Sequence, residues 1–163
     1  MLHPLTVAQL LFLVVVANGT PVIAKKLMGD TLAQPLDGGV RFFDGRPLFG
    51  SSKTLRGVLL SLIATAIVAP LAAIDWHVGL MIAATAMAGD LLSSFIKRRM
   101  GLAPSSRAVG LDQIPEVLFP MIAGAGIYGL SVADVGLAVA IFFVGEVVVS
   151  RLLYRMRLRD RPY

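Results

Sequence analysis

All 15 lysines and arginines of this chain fall into three groups. Lys25, Lys26, Arg41, Arg46, Lys53 and Arg56 form the first, and Lys97, Arg98, Arg99 and Arg107 the second. Arg151, Arg155, Arg157, Arg159 and Arg161 form the third. Around these groups run five apolar stretches, at residues 5–24, 58–74, 78–96, 117–130 and 135–153. A bilayer core of about 30 Å asks for about 20 helical residues. The first, third and fifth stretches meet that length. The second sits at the lower limit, and the fourth is short unless it begins nearer Leu111. The links 75–77 and 131–134 and the N-terminus carry no Lys or Arg. Five crossings put all three basic groups on one side, whereas four or six would scatter them. The positive-inside rule makes that side cytoplasmic.

The expectation is an all-α polytopic membrane protein with five transmembrane helices, N-terminus outside and C-terminus cytoplasmic. It forms a single integral membrane domain over 1–163, with cytoplasmic loops at about 25–57 and 97–115. Composition agrees: 15% of residues are charged, where a soluble domain carries about 25%. The net charge of +5 could point to nucleic acid, but its segregation assigns it to topology instead. The C-terminal arginines read as an anchor for anionic headgroups, and Trp76 and Tyr154 suit the interface. The first stretch does not read as a cleaved signal, because its lysines follow the apolar run. With no cysteine, thiolate chemistry is excluded. His3 and His77 are isolated and on the far side, which argues against a histidine metal site.

Ionisable residues inside a membrane are costly and mark function. Asp90 lies near the cytoplasmic end of the third stretch, and Ser94 and Lys97 follow one and two helical turns later on the same face. Ala83 and Ala86 continue that stripe backwards with small side chains, Arg98 lies close to it, and Arg99 points away. Such a stripe can bind a metal and a phosphate together; the plainer reading is an Asp90–Lys97 pair or a snorkelling lysine. Asp112 reads as a helix N-cap or as a second metal-binding carboxylate, with Pro115 and Glu116 opening the fourth span. Glu146 lies inside the fifth span, facing the bundle or a wet cavity. Asn18 suits an interhelical hydrogen bond, Pro21 a kink, and Gly124, Gly126 and Gly129 close packing.

The stretch "DGRPLFGSSKTLRG", residues 44–57, nearly matches the P-loop pattern, but Ser51 and Ser52 displace the lysine. A P-loop also follows a buried strand and opens a soluble helix, which this order does not supply. Gly50 to Thr54 still offer backbone amides, hydroxyls and Lys53. A helix starting near Ser51 or Ser52 would place Lys53 and Arg56 on neighbouring faces around an anion.

Together "NGTPVIAKK", "DGGVRFFDGRPLFGSSKTLRG" and "GDLLSSFIKRRMGLAPSSRAVGLDQ" resemble the CDP-archaeol synthase family, and more distantly the CDP-diacylglycerol synthases. The resemblance implies transfer of CMP from CTP to a membrane lipid phosphate with release of pyrophosphate, using Mg²⁺. By it, Asp90 and Asp112 are metal ligands, and Lys53, Arg56, Lys97 and Arg98 hold phosphates, supported by Asp44, Gly50, Thr54 and Ser94. The family often continues L-D-Q-x-D-F. Here Pro115 takes the second acid's position and Glu116 follows, so Glu116 becomes a further candidate ligand. The partners implied are CTP, the lipid phosphate and bilayer lipids, without nucleic acid; a homo-oligomer stays open. The expected site is on the cytoplasmic face of the cell membrane. The competing reading is a small ion or solute transporter using Asp90 and Glu146 as intramembrane ligands.

Overall fold

The computed structural model describes residues 2–155 except Arg107, with side chains as far as residue 149. Arg107, Arg157, Arg159 and Arg161 lie outside the described residues, as do the side chains of Arg151, Tyr154 and Arg155.

Five helices occupy the five apolar stretches. They are α1 (Pro4–Met28), α2 (Leu55–Val68, continued by a 3-10 turn at Ala69–Ala72), α3 (Trp76–Arg99), α4 (Gln113–Tyr128) and α5 (Val132–Arg155). No strand forms among the described residues; pairing is limited to the isolated bridges Pro35–Thr54 and Arg41–Pro47. Four helices are long and apolar enough to cross a membrane, namely α1, α2 with its 3-10 turn, α3 and α5. Helix α4, at 16 residues, is shorter. Its polar first turn explains why the apolar run there looks truncated.

Packing follows from small residues placed where backbones meet. A Cβ on Gly89 of α3 would fall 2.1 Å from the carbonyl oxygen of Pro115 in α4. One on Gly79 would fall 2.5 Å from the Ala69 Cβ, and one on Gly124 2.6 Å from Leu10. Pro21 lacks the N–H that would close the helical bond to the Ala17 carbonyl. The Ser61 hydroxyl of α2 donates to that carbonyl instead, at 2.8 Å. A proline in α1 is thus answered by a serine in α2, and the two helices are registered by the exchange.

Leu10, Leu13, Val14, Ile82, Val117 and Met121 are fully buried and form the core between α1, α3 and α4. Leu27, Ile67, Val132 and Val144 face outwards, as an apolar solvent requires. Among the described residues helix α5 packs on α4 and α1. At one end of the bundle the buried Asp134 accepts from the His3 N–H at 2.8 Å and from the Ser131 hydroxyl at 2.7 Å. It also meets the His3 imidazole at 3.1 Å, tying the start of α1 to the start of α5. Gln9 of α1 donates to the Ala72 carbonyl at 2.8 Å beside them. The described basic residues collect at the opposite end: Lys25 and Lys26 in the last turn of α1, Arg56 in the first of α2, and Lys97, Arg98 and Arg99 in the last of α3.

Candidate active site

The segment from Gly29 to Thr54 folds back over the basic end of the bundle. Its organiser is Asp37, which sequence reasoning did not single out. One carboxylate oxygen accepts from the Gly39 N–H at 3.0 Å, and the other from Phe49 at 2.9 Å and Gly50 at 3.0 Å. Burial works against the charged form, but these three amides outweigh it and hold the carboxyl below its ordinary range. Leu36 N–H to Lys53 carbonyl at 2.7 Å and Leu55 N–H to Gln34 carbonyl at 3.0 Å complete a strap across the glycine-serine loop. The turn signal Asp37-Gly38-Gly39 was visible in the sequence, with both glycines at positive φ.

Helix α2 begins at Leu55 rather than near Ser51 or Ser52, because Thr54 is its N-cap and its hydroxyl accepts from the Gly57 N–H at 3.1 Å. The loop is therefore longer than expected. The Gly50 and Lys53 amides are already engaged, with Asp37 and with the Gly50 carbonyl, while Ser51, Ser52, Lys53 and Thr54 face a cavity. The Lys53 ammonium crosses to α3 and sits 2.6 and 2.5 Å from the two oxygens of Asp90. Arg56 is buried and does not flank Lys53 on an open face. It donates to the carbonyls of Thr31 and of Gly29, the latter at 3.1 Å, closing the C-terminal end of α1.

A cavity of about 290 Å³ opens between these elements. Lys53, Asp90 and Arg56 line it with Ser51, Ser52 and Thr54. Lys25, which the sequence marks only as part of the basic group after the first span, lines it too, as does Asp30, which sequence reasoning does not single out.

Further along α3 the charges pair across elements and not within the stripe. Lys97 does not meet Asp90; its ammonium lies 2.5 Å from Asp112 and donates to the Ser106 carbonyl at 2.9 Å. Asp112 sits at the N-cap position of α4 but caps nothing, accepting instead from the Ala108 N–H at 2.9 Å. Ser94 and Arg98 are buried on the same helix, and Arg98 donates to the Ala103 carbonyl at 2.8 Å. Arg99 points away from Asp90, as its register requires. There it meets Asp44 at 2.7 Å and lies over the rings of Phe42 and Phe95 at 4.8 and 4.9 Å. Arg46 donates to the carbonyls of Arg98 and Arg99. Asp44 thus fastens the loop to α3, away from the cavity. No local pattern shows this, because the contact exists only once the loop has folded back.

Asp90 also receives a hydrogen bond partner from α4: the Glu116 side chain, with Glu146 of α5 close enough to interact with it. Asp90 and Asp112 are held by different lysines. Among the described residues no three acidic or histidine side chains converge as ligands for one metal ion. The donor chemistry nevertheless suits a hard cation. Two carboxyls in contact favour a positive charge beside them, Lys53 provides one, and a cavity wide enough for phosphate oxygens and water adjoins Asp90.

A helical bundle with an apolar exterior, and with cations, acids and a cavity gathered at one end, defines an integral membrane protein with a polar site at the edge of its apolar layer. Known proteins narrow this. The family described as CarS-like, CDP-archaeol synthase, matches residues 71–163. The CDP-archaeol synthase of Hyperthermus butylicus is 36% identical over 155 residues, covering 90% of this chain and 87% of that protein. That of Sulfurisphaera tokodaii is 32% identical over 154 residues, covering 91% and 89%. A solved structure, described as an intramembrane enzyme for archaeal membrane lipids biosynthesis, superposes with a TM-score of 0.73 at 31% identity, covering 86% of this chain and 90% of its own. The chain belongs to the CDP-archaeol synthase family.

Proposed function

We propose that the cavity beside Lys53 and Asp90 is the active site of a cytidylyltransferase acting on an archaeal ether-type lipid phosphate. Family membership makes the chain a CTP-dependent enzyme that transfers CMP to a lipid phosphate in membrane lipid biosynthesis, and not a transporter. The observation that carries the placement is the Lys53–Asp90 pair on the cavity wall, flanked by three hydroxyl side chains.

A lipid phosphate monoester, with a second pKa of about 6, is largely dianionic at neutral pH. Its oxygen attacks the α-phosphorus of CTP directly; the new P–O bond forms as the bond to the β-phosphate oxygen breaks, and pyrophosphate leaves with that electron pair. No protein base is required, which fits a cavity lined without histidine. The chain's task is to neutralise phosphate charge and to hold attacking and leaving oxygens in line. Lys53 meets the triphosphate from the loop, with Ser51, Ser52 and Thr54 as hydroxyl donors. Arg56 stiffens the α1 end and adds positive potential. Lys97, Arg98 and Ser94 serve the same face of α3 and join the site when Lys97 exchanges Asp112 for a phosphate. Asp44 acts through Arg99 by fixing the loop, and Gly50 by giving the loop its turn at φ +94.

Mg²⁺ suits Asp90 with Glu116 beside it, where it would shield the triphosphate and ease departure of pyrophosphate. Asp112 joins that set only by releasing Lys97. The segregation of the described cations supports five crossings, with α4 as the short one, the N-terminus outside and the site on the cytoplasmic face, where CTP is available. The whole chain then forms one membrane domain with loops at about 25–57 and 97–115.

The test is to supply purified protein with CTP and Mg²⁺ and either an ether-linked isoprenoid lipid phosphate or phosphatidic acid. CDP-lipid forms with the ether lipid and far less with the diacyl one. Equal turnover of both would refute the ether preference, and turnover of neither would refute the placement and the activity together.

A further inference from the structure

The cavity holds one cation that the site as described does not use. Lys25 lines its α1 wall, in the last turn of that helix. Lys53 is held by Asp90, and Arg56 by the carbonyls of Thr31 and Gly29. Among the described residues the Lys25 ammonium has no such partner. A lysine left unpaired at a cavity that already contains a salt bridge is available to an incoming anion.

The surroundings of Lys25 say which anion. Val22, Ile23 and Leu27, its neighbours on α1, are exposed at 66%, 59% and 79%. Lys25 therefore borders the outer, apolar face of the bundle on one side and the cavity on the other. Inside the cavity, Pro21 lies one turn deeper than Lys25 on α1, and Val58 and Met87 line the cavity from α2 and α3. These three residues lie about one turn further into the bundle along their helices than Lys25, Thr54 and Asp90. An amphiphile with its phosphate at the membrane boundary matches that division, whereas the triphosphate of a soluble nucleotide finds hydroxyls and a lysine on the loop.

We infer that Lys25 binds the phosphate monoester of the lipid acceptor, and so divides the site into a nucleotide wall on the loop and α3 and a lipid wall on α1. The inference rests on the cytidylyltransferase reading but concerns which substrate one residue serves. A phosphate monoester and a triphosphate present the same oxygens, so the two must be separated by measurement.

Steady-state kinetics in mixed micelles, varying lipid phosphate and CTP in turn, separates them for Lys25→Gln and Lys25→Arg. Loss of one charge-assisted contact should raise the KM for lipid phosphate roughly tenfold in K25Q, with the KM for CTP changed less than about twofold. K25R should recover most of the loss. A rise in the KM for CTP instead, or no change in either constant, overturns the inference. Binding of the lipid phosphate to the full chain without CTP gives a second reading independent of turnover, and K25Q should weaken it by a similar factor. If wild type binds the lipid better than K25Q yet makes no CDP-lipid, the functional reading fails and the role of Lys25 stands. If the two bind alike, the role of Lys25 fails whatever the turnover.

Discussion

The Lys53 ammonium lies within 2.6 Å of both oxygens of Asp90, joining the loop ahead of α2 to the membrane-spanning α3. Each residue is thus the other's charge partner in this structure. Lys53→Ala and Asp90→Asn should each lower CDP-lipid formation by roughly a hundredfold or more, the scale of removing one group that stabilises transition-state charge. Because the two act as a unit, the double variant should be little worse than either single one. Radiolabelled CTP incorporation checks this, and near-normal turnover in either single variant would place the site elsewhere.

Gly89 should resist even one methyl group. A Cβ there falls 2.1 Å from the Pro115 oxygen and 2.8 Å from the Glu116 nitrogen, both rigid backbone atoms. Gly89→Ala should destabilise the bundle by about 1–3 kcal/mol, as overpacking does, read as a lower melting temperature in detergent. Gly126→Ala, where a Cβ meets nothing within 4 Å, should leave it unchanged or higher. Equal melting of wild type and G89A would contradict the close α3–α4 approach.

Ser61 and Pro21 should show strong coupling. Ser61→Ala strands the Ala17 carbonyl and should cost about 1 kcal/mol. Pro21→Ala restores the N–H that this carbonyl lacks, so in that background S61A should cost much less. A thermal double-mutant cycle measures the difference; additive effects would show that the hydroxyl does not serve the carbonyl.

Asp37 should make loop stability acid-sensitive. Its native carboxyl is held below the ordinary value by the Phe49, Gly50 and Gly39 amides. The stabilisation is therefore complete above the ordinary carboxylate pKa of about 4, and is lost as pH falls through the lower native value. Limited proteolysis within 38–52 should accelerate on acidification of wild type below that range. Asp37→Asn should be cleaved faster at neutral pH and respond less to acid. A wild-type loop indifferent to acid would remove Asp37 from its organising role.

The helices were legible because bilayer-scale apolar length needs no tertiary information, and the Asp90–Ser94–Lys97 face was legible because helical register is local. What failed was the inference from sharing a face to sharing a bond. Lys97 and Asp90 lie on one stripe, yet each is claimed by a residue distant in sequence, Asp112 and Lys53 respectively. The start of α2 is open in the sequence because Ser51, Ser52 and Thr54 are all competent caps, and the strap from Gln34 to Leu36 holds the chain on either side of Thr54. Arg99 was set aside for pointing the wrong way, which is the direction from which Asp44 arrives. Lys25 obeyed the topology rule so well that its place on a cavity wall went unread. For Lys53, Thr54, Arg99 and Lys25 the missing information was the path of the loop from Gly29 to Thr54, and for Lys97 that of the link between α3 and α4; neither carries a period.

The His3–Asp134 clasp has a mechanical consequence. It pins α1 to α5 at the end remote from the cavity, close to where Gln9 also anchors α1 to the Ala72 carbonyl. The large buried side chains Leu10, Leu13, Ile82 and Met121 belong to the main core cluster, whereas the small cluster nearer the cavity is built from Ala17, Ala83 and Ala86. The molecule is built like a clothes peg, with its spring at one end and its jaws at the other. Breaking the clasp should register in heat tolerance, while removing a charge at the jaws, such as that of Lys53, should register in turnover.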